Sequence, residues 1–368
     1  MTQQDRRAAL TAISALWLAA CGGGSESAPA PASGAGPAPG PPPGPSPGPP
    51  PPGAPVPPPP GAANYANFSG AALGIGAALN GAIPFPADNP WNTDISAAPV
   101  DPNSAALIAS IGATTGLHAD FGAGLYQGAP IGIPYVVVAG NQARVALHWT
   151  AYGSESDPGP YPVPDNAPVE GGNAGTGDRH VLVIDRDNNR LYELYRAFLN
   201  GNGSWNADCG AVFHLDSNLV RPGAQSGWTS ADAAGLPIFP GLARYEEAAL
   251  GPGGVLHALR FTVQSSRRAY VPPASHFASN NTSPNLAPMG MRVRLKAAYV
   301  IPASFSAESR ALLTAMKRFG MIMADNGSNW FVSGAPDSRW NNGALSREFG
   351  QVRGSDFEVV QMRGLVTG

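Results

Sequence analysis

Cysteine and charged side chains are scarce in this sequence of 368 residues. The two cysteines, Cys21 and Cys209, are too few for a scaffold built on several disulfides. Charged residues make up 13% of the chain, about half their usual share. With 22 Lys and Arg against 25 Asp and Glu, the formal charge is −3, so a basic nucleic-acid-binding protein is not expected.

Signatures of several enzyme classes are also missing from residues 64–368. This region has no Walker loop, dinucleotide fingerprint, His-Glu-x-x-His, zinc-binding cysteine cluster or Gly-x-Ser-x-Gly. Nucleotide enzymes, the commonest zinc proteases and lipase-type hydrolases are therefore disfavoured, and no motif requires a cofactor or a metal. No recognisable motif places a His or Asn beside Cys209, so a catalytic thiol is not expected.

The first 21 residues have the layout of an export signal. Arg6 and Arg7 precede an apolar run of about 13 residues, which is too short to span a bilayer. The run ends in Leu18-Ala19-Ala20-Cys21, which resembles the lipobox of bacterial lipoproteins. The resemblance implies cleavage before Cys21, lipid on that cysteine, and a chain held at a membrane surface. Gly22 stands where an aspartate would mark inner-membrane retention, so an outer-membrane location is expected.

Residues 29–61 form a proline-rich segment. It holds 18 prolines, carries no charge, and is otherwise almost entirely Gly, Ala and Ser. Such a segment cannot bury a core, and as polyproline II at ~3.1 Å per residue it would reach on the order of 100 Å. The sequence thus predicts a signal peptide in residues 1–20, a lipidated linker in 21–63 and a globular β-rich domain in 64–368.

The domain shows mainly two-residue periodicity, which is typical of strands. Residues 133–138 and 144–149 flank a short loop and predict a hairpin, as do residues 180–184 and 190–195. Residues 255–263 and 291–296 predict two further strands.

Helical signals are few. Asp101-Pro102 predicts the start of a short helix that ends near Gly112. A stronger helix is predicted from Ser306 through Phe319. We therefore expect a mainly β fold, a sandwich or distorted barrel with long Gly/Pro-rich loops and one C-terminal α-helix.

Five runs together resemble an uncharacterised group of secreted microbial proteins. They are Ser156-Asp-Pro-Gly-Pro-Tyr-Pro-Val-Pro164, Gly177-Asp-Arg-His180, Gly227-Trp-Thr-Ser-Ala-Asp-Ala-Ala-Gly-Leu-Pro237, His257-Ala-Leu-Arg-Phe261 and Met321-Ile-Met-Ala-Asp-Asn-Gly-Ser328. The resemblance covers roughly residues 84–360. It implies a secreted globular domain and carries over no activity and no catalytic residue.

Two short pairs are candidates for acid–base chemistry. His118-x-Asp120 and Asp178-x-His180 each place an imidazole and a carboxylate on one side of an extended chain. If the two segments met, they could supply a general acid and base or bind a metal. Glu170, eight residues before Asp178, is the expected partner carboxylate. The candidate catalytic residues are therefore Asp120, Glu170, Asp178 and His180, although such carboxylates also commonly satisfy turn amides.

Other loop carboxylates lie among glycines and prolines, where a ligand can approach the backbone closely. They are Glu155, Asp157, Asp165, Asp232 and Asp325. Loop tryptophans could stack on sugars or plug the core, and they are Trp91, Trp228, Trp330 and Trp340.

A row of basic residues is the candidate substrate-binding surface. Arg292, Arg294 and Lys296 alternate along one predicted strand, and Arg260 lies on another. With Trp228 they could receive acidic groups of a polysaccharide. The alternative is a solvated sheet face paired with the protein's own acids, such as Glu193. His257 shares a face with core-type residues and is expected to be buried.

These features favour a surface-anchored carbohydrate-active enzyme, a hydrolase or lyase that acts on cell-wall or environmental polysaccharide. The alternative is a surface module that binds glycan or protein without catalysis, and a third possibility is a structural envelope protein. The expected partners are a membrane, through the lipid on Cys21, and polysaccharide, but neither nucleic acid nor nucleotide.

Overall fold

The computed structural model describes residues 63–219, 221 and 227–368. Within these residues strand exceeds helix, 27% against 14%, and no sheet closes into a barrel. The expectation of a mainly β, sandwich-like fold is confirmed. The predicted signal peptide and proline-rich linker lie outside the described residues. Within the described part of the chain, every helix is too short or too polar to cross a bilayer.

The strands and helices are numbered in chain order. The strands are β1 (Asn64–Tyr65), β2 (Gly74–Ile75), β3 (Ala82–Ile83), β4 (His118–Asp120), β5 (Leu125–Tyr126), β6 (Ala129–Pro130), β7 (Tyr135–Val138), β8 (Leu147–Trp149), β9 (Val181–Asp185), β10 (Arg190–Tyr195), β11 (Phe198–Leu199), β12 (Trp205–Ala207), β13 (Cys209–His214), β14 (Leu259–Val263), β15 (Ser266–Tyr270), β16 (Ala287–Met289), β17 (Arg292–Leu295), β18 (Met321–Asn326), β19 (Phe331–Ser333), β20 (Phe357–Val359) and β21 (Val366–Thr367). The α-helices are α1 (Ser104–Ile111), α2 (Tyr245–Ala248), α3 (Ala307–Arg318) and α4 (Asn342–Phe349).

Two large sheets carry the fold. One has the order β13-β10-β9-β7-β2 and the other β20-β17-β18-β14-β19-β4. Strand β9 is buried on both faces, because Leu182 and Ile184 face one apolar cluster while Val181 and Val183 face another. The first cluster also contains residues from both faces of the six-stranded sheet, such as Phe261 and Ile322, so it extends from one large sheet to the other.

The remaining layers cover the outer parts of these sheets. Helices α1, α3 and α4 pack on β20, β17 and β4 of the six-stranded sheet. The second cluster, on the other face of the five-stranded sheet, is closed by loop and short-sheet residues such as Tyr161 and Trp205. The space between the two large sheets is therefore enclosed, and polar groups placed there are largely shielded from water.

The hairpin predicted for residues 180–184 and 190–195 is confirmed, since β9 and β10 pair antiparallel. The hairpin predicted for residues 133–138 and 144–149 is wrong. Strand β7 pairs with β2 and in parallel with β9, whereas β8 pairs with β12. All four β7 residues are buried, so this strand needs a neighbour on each side and a cover on each face. Strand β8 is only partly buried and lies in a small separate sheet.

The two predicted helices are present, with one difference at a start, and two helices, α2 and α4, were not foreseen, so the expectation of a single C-terminal helix is wrong. Helix α3 is capped as expected, because the Ser306 side chain accepts a hydrogen bond from the Ser309 backbone N–H. The short helix has Asn103 at its N-cap position, but the Asn103 side chain makes no capping hydrogen bond, and Asp101 accepts the Asn103 N–H in the preceding turn. Helix α4 starts at an Asn-Asn-Gly sequence that resembles a loop, but the Asn341 side chain caps it by accepting the Ala344 N–H.

Candidate active site

The candidate site lies between the two large sheets, and the six-stranded sheet supplies a row of polar residues. Asp120 on the edge strand β4 is paired with Ser333 on β19. The antiparallel register of β14 and β19 continues from Phe261 to Arg260, which brings Arg260 beside Ser333. An Arg260 Nη1 to Ser333 Oγ hydrogen bond of 2.7 Å joins them. Residues in register on adjacent strands share a face, so Arg260, Ser333 and Asp120 form a row.

The five-stranded sheet supplies the opposite side. His180 directly precedes β9, and Glu193 on β10 lies opposite Leu182. Since Leu182 belongs to the apolar cluster between the sheets, Glu193 points into the same space. Two loops complete the group, one with Glu170 and one with Asp232.

His180 and Glu170 form the closest ion pair of this group. His180 Nδ1 lies 2.5 Å from Glu170 Oε2, and His180 Nε2 lies 3.1 Å from the Ala231 carbonyl oxygen. Both neighbours can only accept, so both ring nitrogens must donate and the imidazole is protonated. Burial alone lowers the pKa of His180, but the Glu170 carboxylate and Asp178 raise it to about 9. Burial raises the pKa of Glu170, but His180 outweighs it and holds that pKa below its usual value.

Asp120 and Asp178 behave in the opposite way. Burial, reinforced by the nearby Glu170 charge, raises the pKa of Asp120 to about 6. Burial likewise raises the pKa of Asp178 to about 6, with His180 opposing and Glu170 and Asp325 adding to the rise. Asp120 is nevertheless exposed to solvent. Both observations hold for a side chain on the wall of a cleft, where protein surrounds the carboxyl and water still reaches it.

Arg260 forms the floor of the cleft. Its guanidinium donates to Asp232 Oδ2 at 3.1 Å and lies 4.0 Å from Asp325 Oδ2. The side chains of Arg260 and Asp232 are 4% and 0% exposed, whereas those of Glu170 and Asp325 keep 27% and 19%. Burial raises the pKa of Asp232 to about 6 despite the arginine. Reachable carboxylates therefore lie over a buried layer of charged groups.

Glu193 lies in the buried layer. Its carboxyl oxygens accept hydrogen bonds from the backbone N–H groups of Ile238 and Phe239 at 2.9 to 3.0 Å. Burial raises the pKa of Glu193 to about 7, and these two hydrogen bonds oppose the rise. Glu193 is therefore largely neutral below pH 7, when an unfolded chain would already have ionised it.

This arrangement predicts that the protein is more stable in mild acid than in mild base. Between the unfolded value of 4.5 and the folded value of about 7, native Glu193 binds more protons than the unfolded chain. The contribution of Glu193 to the free energy of unfolding therefore has its full value below pH 4.5. It is lost as the pH rises through about 7. Asp232, raised to about 6, acts in the same direction. His180 adds stability below pH 6.5 that is lost as the pH rises through about 9.

We expect Tm to fall by at least about 5 °C between pH 5.5 and 8.5, measured by calorimetry in buffers of equal ionic strength. Glu193→Gln removes one titrating group and keeps an acceptor for Ile238 and Phe239. The variant should show a shallower dependence on pH. A Tm that is constant or rises over this range would contradict the assigned pKa directions.

The cluster does not have the form of a metal centre. The described residues contain no group of three or more His, Cys, Asp or Glu side chains arranged to hold a metal ion. His118, a candidate ligand in the sequence, stacks on Phe331 with ring centroids 4.1 Å apart. Burial lowers the pKa of His118. His118 and Asp120 thus share a strand, but only Asp120 joins the cluster.

The arginines of the proposed basic row on β17 donate their hydrogen bonds to other groups of the protein. Arg292 donates to the carbonyl oxygens of Phe319, Pro90 and Thr93. Arg294 donates to Glu358 Oε1 at 2.7 Å and to the Ile95 carbonyl at 2.6 Å. Both side chains therefore link a neighbouring loop to the sheet, and their N–H groups donate to acceptors within the protein.

The suggestion that Glu193 pairs with the basic row is wrong, because Glu193 lies on the other large sheet. Of the four candidate binding residues, Arg260 joins the cluster while Arg292 and Arg294 lie outside it. Trp228, the fourth, is half-buried, and the Arg221 guanidinium lies 5.4 Å from the centre of its ring.

Several other side chains singled out in the sequence lie inside the protein. Trp91, Trp330 and Trp340 are buried in the main core and are not available for stacking on a ligand. His257 is buried as expected, with Nε2 3.1 Å from Glu247 Oε2. Asp157 accepts from Arg221 Nε at 2.6 Å and so serves an internal ion pair.

All four candidate catalytic residues therefore lie in or beside one cluster. Sequence reasoning noted Asp232 and Asp325 only as loop carboxylates, and it did not identify Ser333. The signal that could have found Ser333 is the alternation of the Phe331-Val332-Ser333 strand, which places a hydroxyl where the adjacent strand carries a buried arginine.

Comparisons of the chain with models of protein families, with curated proteins and with solved structures give no match.

Proposed function

We propose that this protein is a glycan-cleaving hydrolase in which Asp120 is the general acid and Glu170 the general base. The observation that carries the proposal is that these two carboxyl groups, from separate segments, lie close enough for the Glu170 charge to raise the pKa of Asp120, and both keep contact with solvent beside buried His180 and Arg260. In most glycosidase families, two carboxyl groups that flank one bond are the complete catalytic equipment.

The two carboxyl groups suit opposite tasks. A general acid must hold a proton until the bond breaks, and the raised pKa of Asp120 serves this purpose. A general base must be ionised, and the lowered pKa of Glu170 provides that state. In the reaction, Asp120 gives its proton to the glycosidic oxygen as the bond from that oxygen to the anomeric carbon breaks. Water attacks the anomeric carbon and gives a proton to Glu170, and solvent exchange restores both groups.

His180 and Arg260 act as positioning residues. His180 holds Glu170 through a 2.5 Å contact and is itself fixed by the Ala231 carbonyl, so the base has one orientation. Arg260 lies beneath, hydrogen-bonded to Ser333, the residue paired with Asp120. Glu170 is therefore held directly by a buried cation, while Arg260 holds Ser333 on the strand that pairs with Asp120.

The proposed roles set the pH dependence of catalysis. Activity requires Asp120 protonated, so kcat/KM should fall about tenfold per unit above about pH 6. It also requires Glu170 ionised, so it should fall at low pH, below the ordinary range of a glutamate. The expected profile is an acidic bell, measured with an uncharged substrate. An optimum above pH 8 would contradict these roles.

We also propose that the enzyme acts outside the cytoplasm on a lipid anchor. The support is the Leu18-Ala19-Ala20-Cys21 sequence, with Gly22 after it, and the proline-rich segment that follows. A spacer of that composition would let the domain reach polymer on the order of 100 Å from its anchor. Labelling with a palmitate analogue in a bacterial host, with Cys21→Ser as control, tests the anchor.

The test of the activity uses the purified full chain in detergent and a panel of neutral, acidic and cell-wall polysaccharides. Polymer size and protein retention are followed together. Shortened chains with the native protein, and none with Asp120→Asn, would support the proposal. Retention without shortening would overturn it in favour of a glycan-binding module. Neither shortening nor retention would overturn both.

A further inference from the structure

A groove adjoins the proposed catalytic cleft. Its volume is about 520 Å³, within the range of small-ligand sites. Three of its lining residues follow or precede cluster residues closely in the chain. Gly122 comes two residues after Asp120, Pro168 two before Glu170, and Pro336 three after Ser333. Since successive Cα atoms are about 3.8 Å apart, each of these walls begins within about 12 Å of the cluster.

The walls of the groove are largely uncharged. Several lining residues are proline or glycine, and Tyr135 donates its hydroxyl hydrogen to the Ala77 carbonyl. The charged lining groups are Asp337 and Arg339. Arg339 donates from Nε to Asp337 Oδ1 at 2.9 Å and from Nη2 to Oδ2 at 2.6 Å, so these two charges neutralise each other. The hairpin of β5 and β6 borders the groove and carries an exposed aromatic ring, Tyr126.

The charges around the cleft disfavour an anionic ligand. Asp120, Glu170, Asp178 and Asp325 stand against the cations of His180 and Arg260, and both cations are already engaged by carboxylates. The arginines that could have received acidic sugars, Arg292 and Arg294, donate to groups of the protein itself. Above about pH 7, where Asp120 and Asp178 are ionised, these described groups carry excess negative charge, which would repel an acidic polymer.

We infer that the groove binds the sugar units next to the cleaved bond, and that these units carry no carboxylate or sulfate. This inference rests on the proposed glycan-cleaving function and adds the substrate class. Pyranose rings present apolar faces and hydroxyl rims, which suit proline walls, the Tyr135 ring and an ion pair at the edge. The charges of the cleft then favour uncharged over acidic glycans. The groove favours glycans long enough to fill it.

The test fills the groove without touching the cluster. Ser338 lines the groove and is exposed, so Ser338→Trp adds bulk at little cost to folding. Ser265→Trp, at an exposed position outside the groove, is the matched control. We expect Ser338→Trp to lower kcat/KM on neutral oligosaccharides at least about tenfold, mainly through KM. A nitrophenyl monosaccharide is too short to enter the groove. The Ser338→Trp variant should therefore cleave it as fast as the native protein does.

The charge arm compares neutral and uronic-acid oligosaccharides of equal length. We expect at least about tenfold weaker binding of the acidic series to the native protein, measured by calorimetry at low salt and about pH 7.5, where Asp120 and Asp178 are ionised. Equal binding of the two series would overturn the inference about charge. Unchanged kinetics of Ser338→Trp on long neutral substrates would overturn the inference about the groove while cleavage by the native protein upheld the function.

Failure of the function itself gives a different pattern. If the native protein cleaves none of these oligosaccharides but binds the neutral ones, and Ser338→Trp weakens that binding, the groove inference stands and the hydrolase proposal falls. If neutral oligosaccharides neither bind nor react, both are overturned.

Discussion

Replacement of Asp120 by asparagine is expected to lower kcat/KM on natural glycans by roughly 10²–10⁴-fold. Asparagine keeps the size of the side chain but has no proton to give to the glycosidic oxygen, and general acid catalysis contributes about this factor. The cost to folding should be small, because Asp120 is exposed on an edge strand. Initial rates of reducing-end release, together with Tm, measure the two effects separately.

The leaving group distinguishes loss of an acid from general damage. A nitrophenolate departs without protonation, so Asp120→Asn should cleave nitrophenyl glycosides with less than about a tenfold deficit. Glu170→Gln removes the base, which every substrate needs, and should be slow on both. Asp165→Asn, an exposed carboxylate in the same loop region as Glu170, is the control and should match the native protein. Equal losses of Asp120→Asn on both substrates would reject the role of acid.

Replacement of Arg260 by methionine is expected to reduce the free energy of unfolding by roughly 3–5 kcal/mol at pH 7.5, which is typical of breaking a buried ion pair. The variant leaves Asp232, which is fully buried, without its cation. Near pH 5 the loss should shrink, because Asp232 titrates at about 6 in the native protein and is neutral below that. Denaturant unfolding at the two pH values measures both quantities.

Two companion variants make this result specific. Asp232→Asn in the Arg260→Met background removes the stranded charge and should recover part of the stability at pH 7.5. Arg318→Met breaks an exposed ion pair with Asp94, whose side chains are 53% and 43% exposed. It should cost no more than about 1 kcal/mol. Equal losses for Arg260→Met at both pH values would show that packing, rather than charge, dominates.

Much of the site could be predicted because its parts are local in sequence. Two-residue spacing placed a carboxylate beside an imidazole, and Glu170 lay close enough in the chain to be expected near Asp178. The β9–β10 hairpin was likewise predictable, since a short polar turn joins two apolar strands. Each of these inferences needs only the geometry of an extended chain.

The rest depended on how distant segments pack. Whether Arg260 faces solvent or a buried aspartate cannot be read from the alternation of β14, because both faces of that strand are covered. Glu193 was expected as an acid that pairs with the basic row on β17, but its strand belongs to the other sheet. Strand β7 pairs with β9, and not with β8, because both of its faces are buried. In the sequence, the only indication of this burial is that Tyr135-Val-Val-Val138 contains no charged residue.

The pairing of Asp120 with Ser333 joins residues about 210 positions apart in the chain. Contacts of such separation form late, because a long loop must close before they add any stability. The proposed acid on β4 therefore meets Ser333 only after about nine-tenths of the 368 residues have been made. A nascent or truncated chain that ends before β19 carries Asp120, Glu170 and His180 and yet lacks the strand that sets them in place. The proposed activity is in this way tied to synthesis of β19.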